Sequence, residues 1–313
     1  MIGYIARRIL STIPVVGVVA ILVFLLLRLS TGDPAVIMAG DSATAAQLAE
    51  MRENMGLDQP IWMQFFYWAA QILQGNLGVS LHSNVAVTSM IADRAGPTIA
   101  LALTTITFSI LVAVPMGVIA AWARGTLTDR FVMTLAVLGF SVPVFVTGYA
   151  LVYVFSLKAG LFPVQGYKEF SDGIGPFATT IVLPSLALST IYIALIARIA
   201  RSSVLEVLGE DYIRTARAKG VKERAVFLRH ALRNAAVPIV TVIGIGAAFL
   251  ISGVVVTESV FNIPGLGRLV VESVLARDYP LIQGLILLFS FVYILINLVI
   301  DLLYTVFDPR IRY

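Results

Sequence analysis

Six stretches of this chain are too long and too apolar to settle in water. Ile9–Leu27, counted as a span over about residues 9–29, is followed by Thr98–Ala123, Phe131–Leu157, Phe177–Ala197, Val237–Thr257 and Leu281–Phe307. Each is near or beyond the ~20 residues that cross ~30 Å of hydrocarbon. In that solvent the backbone must satisfy its own hydrogen bonds, so consecutive apolar segments of this length are expected as helices. Composition agrees: 59% of residues are hydrophobic and only 13% charged, where soluble domains carry about 25% charge. The expected fold class is all-α, a polytopic membrane protein with six transmembrane helices.

Positive charge orients the spans. With the N-terminus inside, segments 1–8, 124–130, 198–236 and 308–313 face the cytoplasm and hold 15 of the 22 lysines and arginines. Segments 30–97, 158–176 and 258–280 face outward and hold six, with Arg28 at the outer end of the first span. This bias predicts that both termini are cytoplasmic. Arg7 and Arg8 before the first apolar run resemble the start of a signal peptide. That run is longer than the usual ~7–15 residues and no A-x-A site follows, so an uncleaved span is expected.

The chain divides near residue 95. Residues 1–94 give the first span and an extracytoplasmic segment, and residues 95–307 give a five-span core with a cytoplasmic loop at 198–236. In the outer segment, Ser30–Pro34 suits a turn, while Thr44–Met55 and Pro60–Gln74 have helical patterns. The second carries Trp62, Phe65, Phe66 and Trp68. Two placements fit it: on the outer membrane surface, where tryptophan favours the headgroup level, or against the protein's own outer loops.

Several chemistries are excluded or disfavoured. Zero cysteines remove disulfides, cysteine-ligated metals and a cysteine nucleophile. His82 and His230 are the only histidines and lie far apart, which argues against a catalytic or metal centre. No G-x-x-x-x-G-K-[ST] phosphate loop occurs, and a net charge of +4 calls for no nucleic-acid partner. Charge inside the spans is sparse; Arg28 is expected to snorkel outward, and Asp301 lies near the inner interface. A proton-coupled carrier would need a midplane relay that is not visible here.

The longest inner loop carries nine of the 22 basic residues, from Arg198 to Arg233. It is patterned to fold. Ser203-x-x-Glu206 has capping-box spacing and predicts a helix restart after the fourth span, interrupted at Gly209. Glu210 and Asp211 suit a helix N-terminus, with Asp211 as N-cap, and Tyr212–Lys219 gives two turns. Gly220 is placed as a left-handed stop. A second helix is expected over about Lys222–Ala236, with Ala225, Leu228, Ala231, Leu232 and Ala235 on one face and Arg224, Arg229 and Arg233 mostly on the other. Physics alone leaves two readings, a docking element for a soluble partner and a basic loop lying on the membrane surface.

The run Glu210-Asp211-Tyr212-Ile213-Arg214-Thr215-Ala216-Arg217-Ala218-Lys219-Gly220, with His230-Ala231-Leu232-Arg233-Asn234-Ala235 and Pro238, resembles the EAA loop of ABC importer permeases, in particular the dipeptide/oligopeptide/nickel branch. The general motif has Glu-Ala-Ala with glycine six residues after the glutamate; here Arg214, Thr215 and Ala216 occupy those positions, and a later Leu-Pro reads Leu232-Arg233. Both departures are habits of the peptide branch. Further matches are Gly32-Asp33-Pro34, Leu57-Asp58-Gln59-Pro60, Gly75-Asn76-Leu77-Gly78, Glu258-Ser259-Val260-Phe261, Pro264-Gly265-Leu266-Gly267-Arg268-Leu269, Arg277-Asp278-Tyr279-Pro280 and Asp308-Pro309-Arg310-Ile311-Arg312.

The resemblance implies a type I ABC importer (MetI-like) fold in the bacterial inner membrane, and the long outer segment resembles the first permease of a pair. It implies half of a pore for di- or oligopeptides, or alternatively nickel or another small solute. The implied partners are a homologous second permease, two cytoplasmic ATPases, an extracytoplasmic solute-binding protein and the bilayer. The chain would be no enzyme and hold no cofactor, with ATP and magnesium bound by the ATPases. Glu210, Asp211, Tyr212, Arg214, Thr215, Ala216, Arg217, Ala218, Lys219 and Gly220 would form the coupling helix. Glu258, Pro264, Gly265 and Gly267 would lie in an outer loop at the pore mouth, with Glu258 either meeting a peptide's amino terminus or the binding protein, or serving as an interfacial charge or a loop-fixing hydrogen bond.

Overall fold

The computed structural model describes residues 2–29, 36, 44–54 and 57–307. The Ser30–Pro34 turn, Met55, the Asp308–Arg312 motif and the side chain of Arg28 lie outside the described residues. The elements are helices α1 (Ile2–Leu29), α2 (Ala45–Asn54), α3 (Ile61–Leu73), α4 (Val87–Trp122), α5 (Leu127–Ser141) and α6 (Val144–Leu151), the last extended by a π-helical stretch, Val152–Lys158. Then follow α7 (Ile174–Leu208), α8 (Asp211–Ala218), α9 (Glu223–Asn234, π-helical over Val226–Ala231), α10 (Ala236–Phe261), α11 (Leu266–Leu275) and α12 (Tyr279–Phe307).

Among the described residues four helices are long and apolar enough to cross a membrane unbroken: α1, α4, α7 and α12. At 26 residues, α10 is also of spanning length, about 39 Å at 1.5 Å per residue. The span expected over 131–157 differs. It is a pair of helices, α5 and α6, meeting at 104°. Pro143 is the cause: it lacks an N–H and drives the residue before it out of the helical region, and Val142 is extended at ψ 124°.

The chain forms two compact units. The first comprises Ala95–Arg268 and the segment from Leu295 onward, and α7 is its hub. Of the apolar window of α7, 61% is buried, against 22% for α4 and 11% for α12. Its Leu183, Leu188, Tyr192 and Ile196 pack with Leu101 of α4 and with Val242, Leu250 and Val254 of α10. Gly117 permits the close approach of α4, since a Cβ there would stand 2.6 Å from the Ala197 carbonyl oxygen. A second cluster joins Ala121, Ala200, Val204, Phe227, Ala231, Ala235 and Ile239, which tie α4, α7, α9 and α10 together.

The restart predicted at Ser203 does not occur. Helix α7 runs on for eleven residues beyond Ala197 to Leu208, because Ala200, Ser203 and Val204 continue its buried stripe. Ser203 lies inside the helix, where no orphan N–H needs a cap. Gly209 ends α7, its N–H reaching the Glu206 carbonyl at 3.0 Å while the Glu210 N–H reaches that of Val207 at 3.1 Å.

The second unit comprises Ile2–Arg94 and Leu269–Ile294. Phe24 of α1 meets Phe65 and Trp68 of α3 at ring-centroid distances of 5.3 and 5.5 Å, so one face of α3 packs on α1. Its Ile61, Trp62, Phe66, Tyr67 and Leu73 remain exposed. The Gln283 amide of α12 donates to the Val23 carbonyl of α1 at 2.8 Å. Asp278 caps α12 by accepting the Leu281 N–H at 3.4 Å, and it also accepts the Leu81 N–H at 3.2 Å and the Ser80 hydroxyl.

Candidate functional site

The ten residues singled out as the coupling element fall on one small helix and its caps, seven within α8 and Glu210, Lys219 and Gly220 at its ends. Helix α8 has only eight residues, too few to persist alone in water, so its two ends and one anchor must hold it. The anchor is Ile213, with no solvent exposure, and α8 packs on the π-helical turn of α9. Around it Asp211, Tyr212, Arg214, Thr215, Arg217 and Ala218 are exposed, while Ala216 is half-buried.

The C-terminal end follows glycine's conformational freedom. Gly220 has φ +80°, its N–H bonds to the Arg217 carbonyl at 2.9 Å, and the Val221 N–H bonds to the Ala216 carbonyl at 3.2 Å. These two bonds form a Schellman motif with Lys219 as C-cap and Gly220 at C′. At the other end Glu210, not Asp211, is the N-cap residue, extended at φ −72° and ψ 146°. Its carbonyl accepts the Ile213 N–H at 3.1 Å. Asp211 is therefore the first helical residue, where its charge still suits the helix dipole.

Charges brace the corner. Arg217 donates to both oxygens of Glu223 at 2.8 and 3.2 Å, joining α8 to the start of α9. The Asp211–Arg214 pair, at 3.3 Å with both side chains largely in solvent, contributes under about 1 kcal/mol. The Tyr212 phenol is held above its usual pKa by partial burial and then by the charge of Glu210, so it is neutral at physiological pH.

The helix expected after Gly220 is present but differently wound. Its buried residues are Val226, Phe227, Ala231 and Ala235, while Leu228 is 50% exposed. A π-turn spaces equivalent positions more widely than the 3.6 residues of an α-helix, which moves Leu228 off the packed face. Beyond Asn234 the chain bends by 57° into α10. From α8 a continuous packed route therefore runs through the π-turn to α10.

The outer-loop residues gather round Glu258, near the end of α10. Glu258 is fully buried. It accepts the Thr98 hydroxyl at 2.6 Å and the Arg268 backbone N–H at 2.9 Å, and Thr98 in turn accepts the Leu266 N–H at 2.7 Å. The carboxylate thus sits at the N-terminus of α11, where a negative charge is favoured. Asn262, left-handed at φ 53°, ends α10. Gly265 and Gly267 are buried against this carboxylate, and Pro264 is half-buried. With both oxygens accepting hydrogen bonds, Glu258 fastens Thr98 and the start of α11 to the end of α10.

Two partnerships were not visible in the sequence. Thr98 joins Glu258 across 160 positions, and Arg201 grips Asp129 of α5 at 2.6 and 2.7 Å across 72. Neither spacing carries a local signal. Gly125 completes the second by donating its N–H to Asp129 at 2.9 Å.

Comparison with known proteins gives this architecture a family. Residues 113–313 match the family described as binding-protein-dependent transport system inner membrane component, and residues 1–102 match the corresponding N-terminal family. The probable peptide ABC transporter permease protein y4tP of Sinorhizobium fredii is 51% identical over 99% of both chains. The glutathione transport system permease protein GsiC is 46% identical in Salmonella typhimurium and 45% in Escherichia coli K12, over the full length of both chains. Inward-facing structures of the MetNI methionine ABC transporter share the fold, with a TM-score of 0.58 at 18% identity over 70% of this chain and 96% of theirs. A multi-helical apolar chain with a MetI-like core and full-length permease relatives is a multi-pass inner-membrane protein, and it belongs to the binding-protein-dependent permeases of ABC importers.

Proposed function

We propose that this chain forms half of the translocation pathway for di- or oligopeptides, driven by ATP hydrolysed on separate ATPase subunits that seat α8 in a cleft. It pairs with a homologous permease and receives substrate from an extracytoplasmic solute-binding protein. ATP and magnesium belong to the ATPases, and this chain carries no cofactor of its own. Its two ends lie in the cytoplasm.

The observation that carries this reading is α8 itself. A two-turn helix stopped by a Schellman motif, braced by Arg217–Glu223 and pinned by one buried isoleucine presents a stiff, largely exposed surface. A basic loop that merely lay on lipid would have no use for such definition. The peptide substrate is supported by the printed names of relatives at 51% and 46% identity, glutathione being itself a tripeptide.

The test is to assemble the transporter with its binding protein in proteoliposomes. ATP-dependent uptake of a labelled dipeptide is expected, and Thr215→Cys, placed on the exposed side of α8, should crosslink to an ATPase subunit. Uptake of nickel without peptide would assign the alternative substrate. A Thr215→Cys site modified only from the extracytoplasmic side would overturn the orientation and the coupling role together.

A further inference from the structure

Helices α4 and α9 enclose a cleft of about 490 Å³, within the ~300–1,000 Å³ of small-ligand sites. Its walls are Val118, Ile119 and Trp122 of α4 and Phe227, Leu228 and Leu232 of α9, and among the described residues its one charged lining residue is Arg224. The Trp122 and Phe227 rings, 6.2 Å apart, join the two walls. The cleft lies where a membrane-spanning helix ends. Trp122 is the last residue of α4 and is 70% exposed, and tryptophan favours the headgroup level.

We propose that this cleft binds an anionic phospholipid, with an acyl chain along the apolar walls and the phosphate on Arg224. The charge pattern selects the headgroup. Glu223, the adjacent carboxylate, is already engaged by both donors of Arg217. Among the described residues Arg224 has no ion pair or hydrogen bond, and Lys222 and Arg229 nearby in sequence add charge of the same sign. A guanidinium matches a phosphate bidentately, and basic pockets between membrane helices suit anionic headgroups. An apolar trough with one cation is the complement of an amphiphile, whereas a protein interface distributes its polar groups around a rim. A lipid seated here bridges α4 to the π-turn on which α8 rests. The proposal depends on the membrane placement of α4 and not on the docking role of α8.

The test uses the assembled transporter in nanodiscs of equal phosphatidylglycerol and phosphatidylcholine. Leu228→benzoylphenylalanine places a photo-reactive group in the cleft wall, and after irradiation the intact mass of this chain identifies the adduct. Phosphatidylglycerol adducts should exceed phosphatidylcholine adducts about tenfold, because both headgroups offer a phosphate but only phosphatidylcholine adds a quaternary ammonium, which the like charge of Arg224 disfavours. Arg224→Gln should bring that ratio to near one, and Arg224→Lys should keep part of it. Equal adducts with Arg224 intact, an adduct to the second permease, or no lipid adduct would each overturn the proposal. Ile119→benzoylphenylalanine on the opposite wall repeats the measurement if the first substitution disturbs assembly.

Discussion

Glu258 shows how one buried charge organises a turn. A carboxylate removed from water is tolerated only when its oxygens are claimed by donors, and here Thr98 and the Arg268 N–H claim one each. The two glycines beside it are then separable by experiment. A Cβ at Gly267 would stand 2.6 Å from the Cα of Val255, a backbone atom that cannot step aside. One at Gly265 would strike the Glu258 carboxylate, which can rotate, but only by giving up its hydrogen bonds. Gly267→Ala should therefore cost stability by displacing α11 itself, by about 1–3 kcal/mol as an overpacked site. Glu258→Ala leaves two donors without acceptors, at about 1–3 kcal/mol each, and Glu258→Gln should fall between it and wild type. Thermal unfolding of the purified transporter reads this order, and a Glu258→Ala protein as stable as wild type would remove the carboxylate from its role as fastener.

Among the elements, α7 is held by more than apolar packing. Its extension beyond the apolar stretch brings Arg201 onto Asp129 at the first turn of α5, with side-chain exposures of 25% and 6%. Removing one partner of a buried pair strands the other, at about 3–5 kcal/mol, and the partial exposure of Arg201 sets the lower end as the expectation. Asp129→Asn and Arg201→Gln should each lower the unfolding temperature, and the double variant should recover part of the loss. Strictly additive losses would show that the two side chains are independent. This pair also marks what sequence could disclose. The apolar stretches were legible because hydrocarbon demands length, and the end of α8 was legible because a left-handed position favours glycine. The extension of α7 was hidden by its own arginines: charge at Arg198 and Arg201 ends a membrane span but not a helix. The π-turn of α9 was hidden because its wider spacing matches no 3.6-residue stripe, so Leu228, expected on one face with Ala231 and Ala235, stands half-exposed while those two are buried. The bend at Pro143 had a visible cause, but its 104° angle depends on packing that a linear reading does not contain.

On the scale of the whole molecule, the proposed coupling role needs a stiff point of application and a path into the bilayer. The stiff point is α8, and the path is the contact of α8 with the π-turn, the cluster of Phe227, Ala231, Ala235 and Ile239 with Ala200 and Val204, and then α10. Displacement of α8 would therefore reach α4, α7 and α10 together, because all three contribute to that cluster. Gly220 is where this path can be loosened without touching the bundle. At φ +80° with open space around its Cα, a new side chain meets no neighbour, so the penalty is confined to the backbone, about 1–2 kcal/mol for a left-handed non-glycine residue and more for a β-branched one. Gly220→Val should release the Val221–Ala216 and Gly220–Arg217 bonds and fray α8 while leaving the spans assembled. In proteoliposomes with the ATPases and the binding protein, ATP hydrolysis should continue while peptide uptake falls, so that more ATP is consumed per peptide moved. Gly220→Asn, which tolerates the left-handed conformation better, should restore most of the coupling. If Gly220→Val transported with an unchanged ratio of ATP to peptide, α8 could not be the element through which the motor acts.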